Sequence, residues 1–536
     1  MEILLNLAIY LPLVGILGVV AVRSQTAVKW VSLIVTTLVF VVSLPLFFNF
    51  DLAQSASPQY LTVGNPVLPG LDIKYMVGLD GFSLLLFMLT ALTGPIVILS
   101  SWNSIEKHLK GYYAMLLLLQ TASMGVFAAL DLVIFYVFFE LSLIPMYFLI
   151  GIWGGKERIT ATIKFFLYTM FGSLIMLVAL IYVGYDAGSE VSGYAFTADW
   201  RFLSSMEYQV GLASQTFLFL AFALAFCIKV PLFPFHTWLP YAHTEAPTAG
   251  SVVLAGIMLK MGTYGLLRVT LPIFPNAFTT FAPYIGVLAV IGIIYGALVA
   301  MVQKDVKKLV AYSSVSHLGF VVLGLFAFNT LAVQGAIIQM VNHGLSTGAL
   351  FLIVGMIYDR RHTRMIEDFG GIAKVMPVFA TFFMISMLAS IGLPGLNGFV
   401  GEFMILNGSF GSVTLNSKLY TILGATGVIL AAVYMLWMYQ KVMFGPIKHK
   451  VNEKLKDLNA REVFLLIPMV IFMIWIGIRP VDFTKYSEKQ VDQVLNEASQ
   501  KRVTVLREAG EKELSGWVSR LYDVTQDLAV KSEPKK

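Results

Sequence analysis

The sequence predicts an all-α membrane protein that crosses the bilayer about fourteen times. Of its 536 residues, 58% are apolar and only 13% are charged, and the mean hydropathy is +0.79. A soluble globular chain has about 25% charged residues. Apolar stretches recur from residue 1 to about residue 479, so one membrane domain explains the composition better than several soluble domains.

Fourteen apolar segments are close to the length, about 20 residues, that a helix needs to cross a bilayer. They run approximately over residues 3–22, 28–48, 78–102, 112–130, 132–153, 162–184, 213–240, 249–267, 281–302, 309–328, 331–358, 375–406, 420–440 and 463–478. No charged region with a small-residue cleavage site precedes the first segment, so we expect no cleaved signal peptide.

The loops between these segments differ sharply in basic residues. Loops after odd-numbered segments carry twenty Lys and Arg residues in or beside them, whereas loops after even-numbered segments carry four, namely Lys74, Arg201, Arg268 and Lys418. The positive-inside rule therefore predicts that both termini lie on the non-cytoplasmic side. The consistent alternation also supports fourteen as the number of crossings.

Two internal features predict a repeat within the membrane domain. A shift of 177 residues aligns residues 131–142 with 308–319, with three identities and with Glu140 opposite His317. Lys229 and Glu402, which occupy two interrupted segments, lie 173 residues apart. Because the aligned segments are the fifth and the tenth, the two repeats must be inverted with respect to each other.

The interruptions predict that the seventh and twelfth helices are broken near the middle of the membrane. The seventh segment contains Pro231 and Pro234, and the twelfth contains Gly392 and Pro394. Proline removes a backbone donor and clashes with the preceding turn. A pair of broken helices at corresponding positions in two halves is typical of inverted-repeat transporters, whose ion path passes beside the breaks.

Ionisable residues well inside the apolar segments are few, and charges at this depth are usually functional. They are Glu140, Lys229, Lys260 and Glu402, together with the histidines His236, His317 and His343. Burial can move the pKa of such groups toward neutrality, which suits a proton relay. The competing interpretation is that these residues serve packing only, through buried ion pairs or satisfied core histidines.

The sequence around two of the histidines is polar. His343 lies on a stripe with Gln339, Ser346 and Thr347 at helical spacing, and His317 closely follows three serines. Such stripes can order a file of water between titrating groups. They can equally provide hydrogen bonds between helices, as small polar residues do in membranes, and the sequence leaves both interpretations open.

Several other chemistries are excluded. With Cys227 as the only cysteine, the chain cannot hold a Cys-ligated iron–sulfur cluster, a structural zinc site of cysteines or a c-type haem. His243 and Glu245 match the H-x-E of zinc deaminases, but the required pair of cysteines is missing. No nucleotide-binding or zinc-protease motif is present, and the scattered basic residues do not predict nucleic-acid binding.

The predicted organisation has five parts. These are residues 1–111 with helices 1 to 3, residues 112–271 with helices 4 to 8 as the first repeat, residues 281–443 with helices 9 to 13 as the second repeat, residues 444–479 with helix 14, and a charged tail over residues 480–536. The tail has helical spacing around Val491 and again around Trp517, so we expect an exposed helical extension.

Four stretches resemble the signature of a known family. They are KVPLFPFHTWLPYAHTEAPTAGSVVLAGIMLKMGTYG at residues 229–265, GLDGFS at 78–83, AYSSVSH at 311–317 and KVMFG at 441–445. They resemble the antiporter-like membrane subunits of respiratory complex I, the proton-pumping NADH:quinone oxidoreductase. Glu402 makes the chain most similar to the subunit M (chain 4) branch, because related subunits carry a lysine on the broken twelfth helix.

The resemblance implies a fold of fourteen helices with two inverted five-helix repeats, and a role for each candidate residue. Glu140 and Lys229 would be a coupled pair, Lys260 the central relay, His317 and His343 the links onward, and Glu402 the terminal site toward the outside. The chain itself would hold no cofactor, since FMN, iron–sulfur clusters and quinone are expected in partner subunits.

The implied partners are the other membrane-arm subunits, especially the L-type and N-type antiporter-like subunits, and the implied location is a bacterial inner membrane. The alternative function is that of an Mrp-type sodium/proton antiporter subunit. A passive scaffold in the membrane arm is a third possibility, but it would not need ionisable residues along one depth. Whether electrons come from NADH or ferredoxin is open.

Overall fold

The computed structural model describes residues 1–191 and 193–508, which form mainly long helices. The first helices are α1 (Glu2–Ala21), α2 (Gln25–Phe48), α3 (Leu84–Ser100), α4 (Leu109–Ala128), α5 (Leu132–Trp153), α6 (Arg158–Gly188), α7a (Leu212–Lys229), α7b (Trp238–Glu245) and α8 (Thr248–Ile273). They are followed by α9 (Pro275–Met301), α10 (Val306–Phe326), α11 (Thr330–Arg361), α12a (Pro377–Ser390), α12b (Asn397–Phe410), α13 (Leu419–Met443), α14 (Ala460–Ile478) and α15 (Glu488–Glu508).

The predicted all-α membrane class is confirmed. Within the described ranges, twelve helices are long and apolar enough to cross a bilayer, and α3 and α12a are two shorter apolar helices. Each of these fourteen helices coincides with one predicted segment, although the number that actually crosses the membrane stays a prediction. The predicted interruptions are confirmed, because α7a ends at Lys229 and α12a ends at Ser390.

Side-chain caps explain where several helices begin. Asp131 accepts hydrogen bonds from the backbone of the first turn of α5, and Asp305 does the same for α10. These caps satisfy amide groups that a helix start leaves without partners. The two aspartates are 174 residues apart, close to the spacing of Lys229 and Glu402. The caps therefore support a repeat and favour a shift of 174 over 177, while the repeat boundaries remain predicted.

Three helices form the centre of the domain. Over an apolar stretch of 18 residues in each helix, α8 and α11 are completely buried and α10 is 94% buried, whereas Leu331 and Tyr358 near the ends of α11 are exposed. The outer helices α1, α2 and α13 bury only about a third of their residues and present apolar side chains outward. Lys260, His317 and His343 lie on the three central helices, so the innermost layer of the protein carries three of the six candidate relay residues.

A β-hairpin replaces the predicted start of the third segment. Strands β1 (Gln59–Leu68) and β2 (Leu71–Leu79) pair antiparallel, and the short β3 (Phe196–Thr197) pairs parallel to β2. Residues 78 and 79 thus end a strand, and α3 begins only at Leu84. The sequence signal was a Pro69-Gly70 turn between two β-type runs, in which Gly70 adopts a φ of 79°.

The expectation of an exposed tail is wrong for α15. The helix is formed as predicted, but Gln490, Val491 and Ala498 are at most 1% exposed because one face of α15 lies on the membrane domain. Asp492 accepts a hydrogen bond from Thr330 at the start of α11, and Lys501 donates to Pro272 at the end of α8. The second predicted helical stretch, around Trp517, lies outside the described residues.

Candidate functional site

Six of the seven candidate side chains are buried. Lys260 is fully buried, and Lys229, His236, His317, His343 and Glu402 are each at most 3% exposed. Glu140 is only partly buried, although its Oε1 atom is enclosed. Three of the seven residues lie on the central helices, namely Lys260, His317 and His343. Lys229, His236 and Glu402 lie at or near the breaks in α7 and α12, and Glu140 lies on α5.

A local distortion of α8 positions Lys260. Residues 254–258 form a π-helical turn, in which the Leu259 amide donates to the Leu254 carbonyl. In a regular α-helix this amide would bond to Ala255, so the π-turn frees the Ala255 carbonyl. The ammonium group of Lys260 donates to this carbonyl. The distortion thereby supplies a hydrogen-bond partner that holds a fully buried lysine.

Two glycines, Gly256 on α8 and Gly344 on α11, let the two helices approach closely beside Lys260. A side chain at Gly344 would place its Cβ 3.0 Å from the Gly256 carbonyl and 2.5 Å from Leu89. This close approach lets the Nζ atom of Lys260 contact Nδ1 of His343 at 2.7 Å. The other ring nitrogen of His343, Nε2, has no hydrogen-bond partner in the described part of the chain.

The second broken helix carries a connected polar cluster. Nδ1 of His317 lies 3.0 Å from Oε1 of Glu402, and the Gln339 amide donates to the same oxygen at 3.2 Å. Ser390, the last residue of α12a, lies 3.2 Å from Nε2 of His317. The break at Gly392, where φ is 78°, puts this backbone against the Glu402 carboxylate, leaving little room for a side chain.

The two clusters meet between α10 and α11. The rings of His317 and His343 have centroids 6.0 Å apart and make no direct hydrogen bond, so a proton passing between them would need a bridging water. Lys260, His343, His317 and Glu402 therefore form one row across four helices. We call these four residues the central row. The polar stripe of the sequence contributes to it, because Gln339 binds Glu402 directly.

The predicted pair of Glu140 and Lys229 is not in contact. Nζ of Lys229 donates to the Ser142 hydroxyl at 3.2 Å and lies 4.6 Å from the centre of the Phe139 ring. Glu140 contacts Ser173 instead, and no ion pair joins Glu140 to Lys229 within residues 1–191 and 193–508. Glu140 lies on α5 and Lys229 on α7a, and the two side chains do not form an ion pair in this conformation.

The break in α7 explains the position of Lys229. Because prolines follow at 231 and 234, α7a ends, and the indole of Trp238 donates to the free Ile228 carbonyl at 2.9 Å. Lys229 thus occupies the last turn of α7a, where the helix dipole favours a positive charge. The two prolines, which can be read from the sequence, thus determine that α7a ends at Lys229.

The other two buried histidines make no hydrogen bond to the central row among the described residues. His236 packs between the rings of Phe233 and Tyr295, which fits a packing role. His243 is fully buried, stacks on Phe351 at 4.6 Å, and has no hydrogen-bond partner on either ring nitrogen among the described residues. Sequence reasoning considered it only as part of a zinc motif. The described ranges contain no group of three His, Cys, Asp or Glu residues placed to hold a metal ion.

Comparisons with known proteins agree on one family. A sequence model described as "NADH:quinone oxidoreductase/Mrp antiporter, TM" matches residues 129–429. NADH-quinone oxidoreductase subunit M of Rhodobacter capsulatus is 45% identical over 491 residues, which cover 90% of this chain and 94% of that protein.

Two solved assemblies contain chains of the same fold. A chain of respiratory complex I from Thermus thermophilus with bound NADH is 30% identical, with a TM-score of 0.83 over 92% of this chain and 99% of that one. A chain of the Mrp complex from Dietzia sp. DQ12-45-1b has a TM-score of 0.76 at 19% identity, covering 93% of this chain and 99% of that one. The second likeness shows the shared fold alone.

Proposed function

The chain belongs to the subunit M branch of the antiporter-like family of NADH:quinone oxidoreductase, and on that premise we propose that its buried residues carry protons across the membrane. As a membrane-arm subunit of this translocase, it lies beside the other antiporter-like subunits, of the L and N types. FMN, the iron–sulfur clusters and the quinone would be held by partner subunits. Quinone reduction there would drive the proton movement here.

The observation that carries the proposal is the central row. Lys260, His343, His317 and Glu402 are buried, belong to four different helices, and are linked by two direct contacts and one short gap. Each of these side chains can bind or release a proton, and imidazole can accept a proton on one nitrogen while it releases one from the other. A row used only for packing would not need titratable groups at every position.

The proposed direction runs from the first half of the chain to the second. Glu140 and Lys229 would load a proton, Lys260 would receive it, and His343 and His317 would pass it to Glu402, the terminal site. Because Lys229 does not contact Glu140 in this structure, the loading step requires a movement or an intervening water. A carboxylate near Lys229 stabilises its charged form, and separation of the two would favour proton release.

The basic loops support an orientation with both termini on the non-cytoplasmic side, and we propose a bacterial inner membrane as the location. In this orientation the hairpin, the C-terminal end of α8 and the tail helix α15 face the non-cytoplasmic side. The predicted repeats, residues 112–271 and 281–443, would then each provide one half of the proton path.

Purification through this chain tests the assignment to a complex. Flavin-containing and iron–sulfur subunits that co-purify with it are the expected result. Recovery of cation-antiporter subunits without flavin or clusters would instead favour the Mrp-type function.

Reconstitution of the whole complex in proteoliposomes tests the central row. Lys260→Met, which keeps the length of the side chain but removes its charge, should reduce the number of protons pumped per NADH oxidised. Lys501→Met is the matched control, because Lys501 is also a buried lysine that donates to backbone carbonyls but lies on α15, away from the row. Full pumping by Lys260→Met in an assembled complex would contradict the proposal.

A further inference from the structure

A buried ion pair closes one end of the central helix α8. Both Nη atoms of Arg268 bind the carboxylate of Asp80, at 2.5 and 2.6 Å, and the two side chains are at most 2% exposed. Sequence reasoning placed Arg268 in a loop, but it lies inside α8, in a second π-helical turn over residues 266–270. Asp80 precedes α3, immediately after the β-hairpin.

Every polar group of this pair has a partner. Nε of Arg268 donates to the Tyr264 hydroxyl at 2.8 Å, and the side-chain amide of Gln490 on α15 donates to Asp80 at 2.6 Å. The backbone amides of Phe82 and Ser83 also donate to Asp80. Charged groups with this many partners are held in one geometry, because breaking the pair would leave an uncompensated buried charge.

Aromatic rings enclose the guanidinium. Its central carbon lies 4.5 Å from the centre of the Trp200 ring, 5.2 Å from that of Tyr264 and 5.6 Å from that of Phe82. The indole of Trp200 also donates to the Arg268 carbonyl at 2.7 Å. That carbonyl lacks its usual helical partner because residue 272 is a proline, which has no amide hydrogen. Contacts with the aromatic residues therefore hold both the backbone carbonyl and the guanidinium of Arg268 in place.

A line of polar groups leads from Lys260 to this pair. Arg268 follows Lys260 by eight residues, about 12 Å along a helix. Between them, the Thr263 hydroxyl donates to the backbone carbonyl of Lys260 and lies 2.8 Å from the Met340 sulfur. The Tyr264 hydroxyl donates to the Phe127 carbonyl and accepts from Arg268. Among the described residues no hydrogen bond joins the Lys260 ammonium to these hydroxyls, so a proton would need water to pass between them. Beyond Asp80, Gln490 leads to α15 on the face of the domain. This line offers a second route from the central lysine to that face, away from Glu402.

Arginine is the side chain least suited to pass a proton along this line. A guanidinium keeps its proton in proteins, so it cannot accept one from Lys260 and release it outward. Because Asp80 balances its charge, the guanidinium blocks transfer by keeping its own proton in a fixed position and not through a net positive charge. A line of neutral polar groups at the same place would admit water and conduct.

We propose that the Asp80–Arg268 ion pair is a barrier that prevents protons from leaking between Lys260 and the face covered by α15. This inference rests on the proposed proton path, because it explains why protons at Lys260 continue to Glu402. Asp80 balances the charge of Arg268 and fixes its position, and the aromatic rings exclude water around it.

Passive proton conductance of the whole complex in proteoliposomes tests the barrier. A pH gradient is imposed without NADH, and its decay is followed with an enclosed pH dye. Asp80→Asn combined with Arg268→Gln keeps the side chains polar but removes both charges, and we expect a several-fold faster decay. If this combination fails to assemble, Arg268→Gln alone serves, because Asp80 can then become neutral by binding a proton.

A second ion pair in the chain provides the matched control. Arg360 binds Glu462 through two hydrogen bonds of 2.8 and 2.6 Å on α11 and α14, away from the line described above. Arg360→Gln combined with Glu462→Gln removes the same charges there and should leave the decay rate at that of the parent complex. Equal leakage at both positions would show a general loss of packing and would overturn the proposal.

An apolar replacement separates charge from packing. Asp80→Leu combined with Arg268→Met fills the site with hydrocarbon, which excludes water and ions, so its decay should be much slower than that of the polar combination. If the assembled complex with the polar combination showed the same slow decay as the parent complex, the proposed barrier would be contradicted. Because the decay is measured without NADH, this result would leave the proposed driven proton path unaffected. If the unsubstituted complex did not pump protons during NADH oxidation, the proposed function itself would be contradicted.

Discussion

The two halves of the buried path differ in how completely their groups are connected. In the second half, Glu402 binds His317 and Gln339 directly. In the first half, Lys229 donates to the Ser142 hydroxyl, and one carboxylate oxygen of Glu140 is enclosed without a hydrogen-bond partner among residues 1–191 and 193–508. On the proposed path, a proton would be exchanged between His317 and Glu402 along an existing contact. Exchange between Glu140 and Lys229 would first require a movement or an intervening water, so we expect the control of transport to lie there.

The two broken helices also place opposite charges on opposite sides of their breaks. Lys229 is the last residue of α7a, and Glu402 lies in the second turn of α12b, which begins at Asn397. A helix favours positive charge at its C-terminal end and negative charge near its N-terminal end. The dipole of α7a therefore favours the charge of Lys229, whereas Glu402, the sixth residue of α12b, lies beyond the first turn in which the dipole acts.

The largest effect is expected from the unconnected half. Lys229→Ala or Glu140→Ala removes a group that loads the path, so proton transfer through this chain should slow by about 100-fold or more. Lys229→Arg and Glu140→Asp, which keep the charge, should retain part of the activity. The ratio of protons pumped to NADH oxidised checks this in proteoliposomes. Normal pumping by Glu140→Ala in an intact complex would remove the difference between the halves.

Glu402 tests the connected half. Glu402→Gln preserves shape and hydrogen bonding but cannot titrate, so we expect a several-fold loss of pumping. Glu402→Lys restores a group that can carry a proton and should be tolerated better. Proton-to-electron ratios for both variants decide the matter. Equal, full pumping by Glu402→Gln would exclude Glu402 from the path.

The glycine contact between α8 and α11 tests the junction of the halves. Gly344→Ala forces a methyl group against Leu89 and the Gly256 carbonyl, which should cost about 1–3 kcal/mol of stability and separate Lys260 from His343. Gly256→Ala is the matched control, because its Cβ would meet only the Gly344 carbonyl, at 3.7 Å. Thermal unfolding and pumping of the two variants should differ, and identical behaviour would contradict this geometry.

Cysteine substitutions at exposed positions should have the smallest effect on pumping. Labelling of these cysteines tests the orientation of the chain in the membrane, which both halves share. Val451→Cys and Gln500→Cys place thiols at exposed positions, and the native Cys227 is buried. An impermeant reagent should reach residue 451 only from the cytoplasmic side and residue 500 only from the other side. The reverse pattern would invert the predicted direction of transport.

Local chemistry made much of this structure predictable. The breaks follow from Pro231 and Gly392, the spans follow from apolar length, and all four members of the central row were recognised as charges or imidazoles at membrane depth. Their contacts were not predictable, because His343 reaches Lys260 only through the π-turn and the approach of two glycines. The separation of Glu140 from Lys229 likewise depends on how α5 and α7a pack.

The features that sequence reasoning missed depend on distant parts of the chain. Arg268 looked like a loop residue because its partner Asp80 is 188 positions away. The tail helix is predicted to be exposed because its composition is charged and its contacts with the ends of α8 and α11 are distant in sequence. Its apolar residues at helical spacing, Val491, Val494 and Leu495, are a local signal of the face that is buried. The hairpin has a local signal in its Pro69-Gly70 turn, but the third apolar segment is predicted from residue 78, so its start includes the last two residues of β2.

The hydrogen bond between Gln490 and Asp80 also makes the order of synthesis matter. The two residues are 410 positions apart, so at about 5–20 residues per second the ribosome supplies Gln490 roughly 20–80 s after Asp80. Arg268 arrives in the first half of that interval, and the last donor to the carboxylate arrives only when α15 is made. The nascent protein therefore completes this cluster as one of its final folding steps.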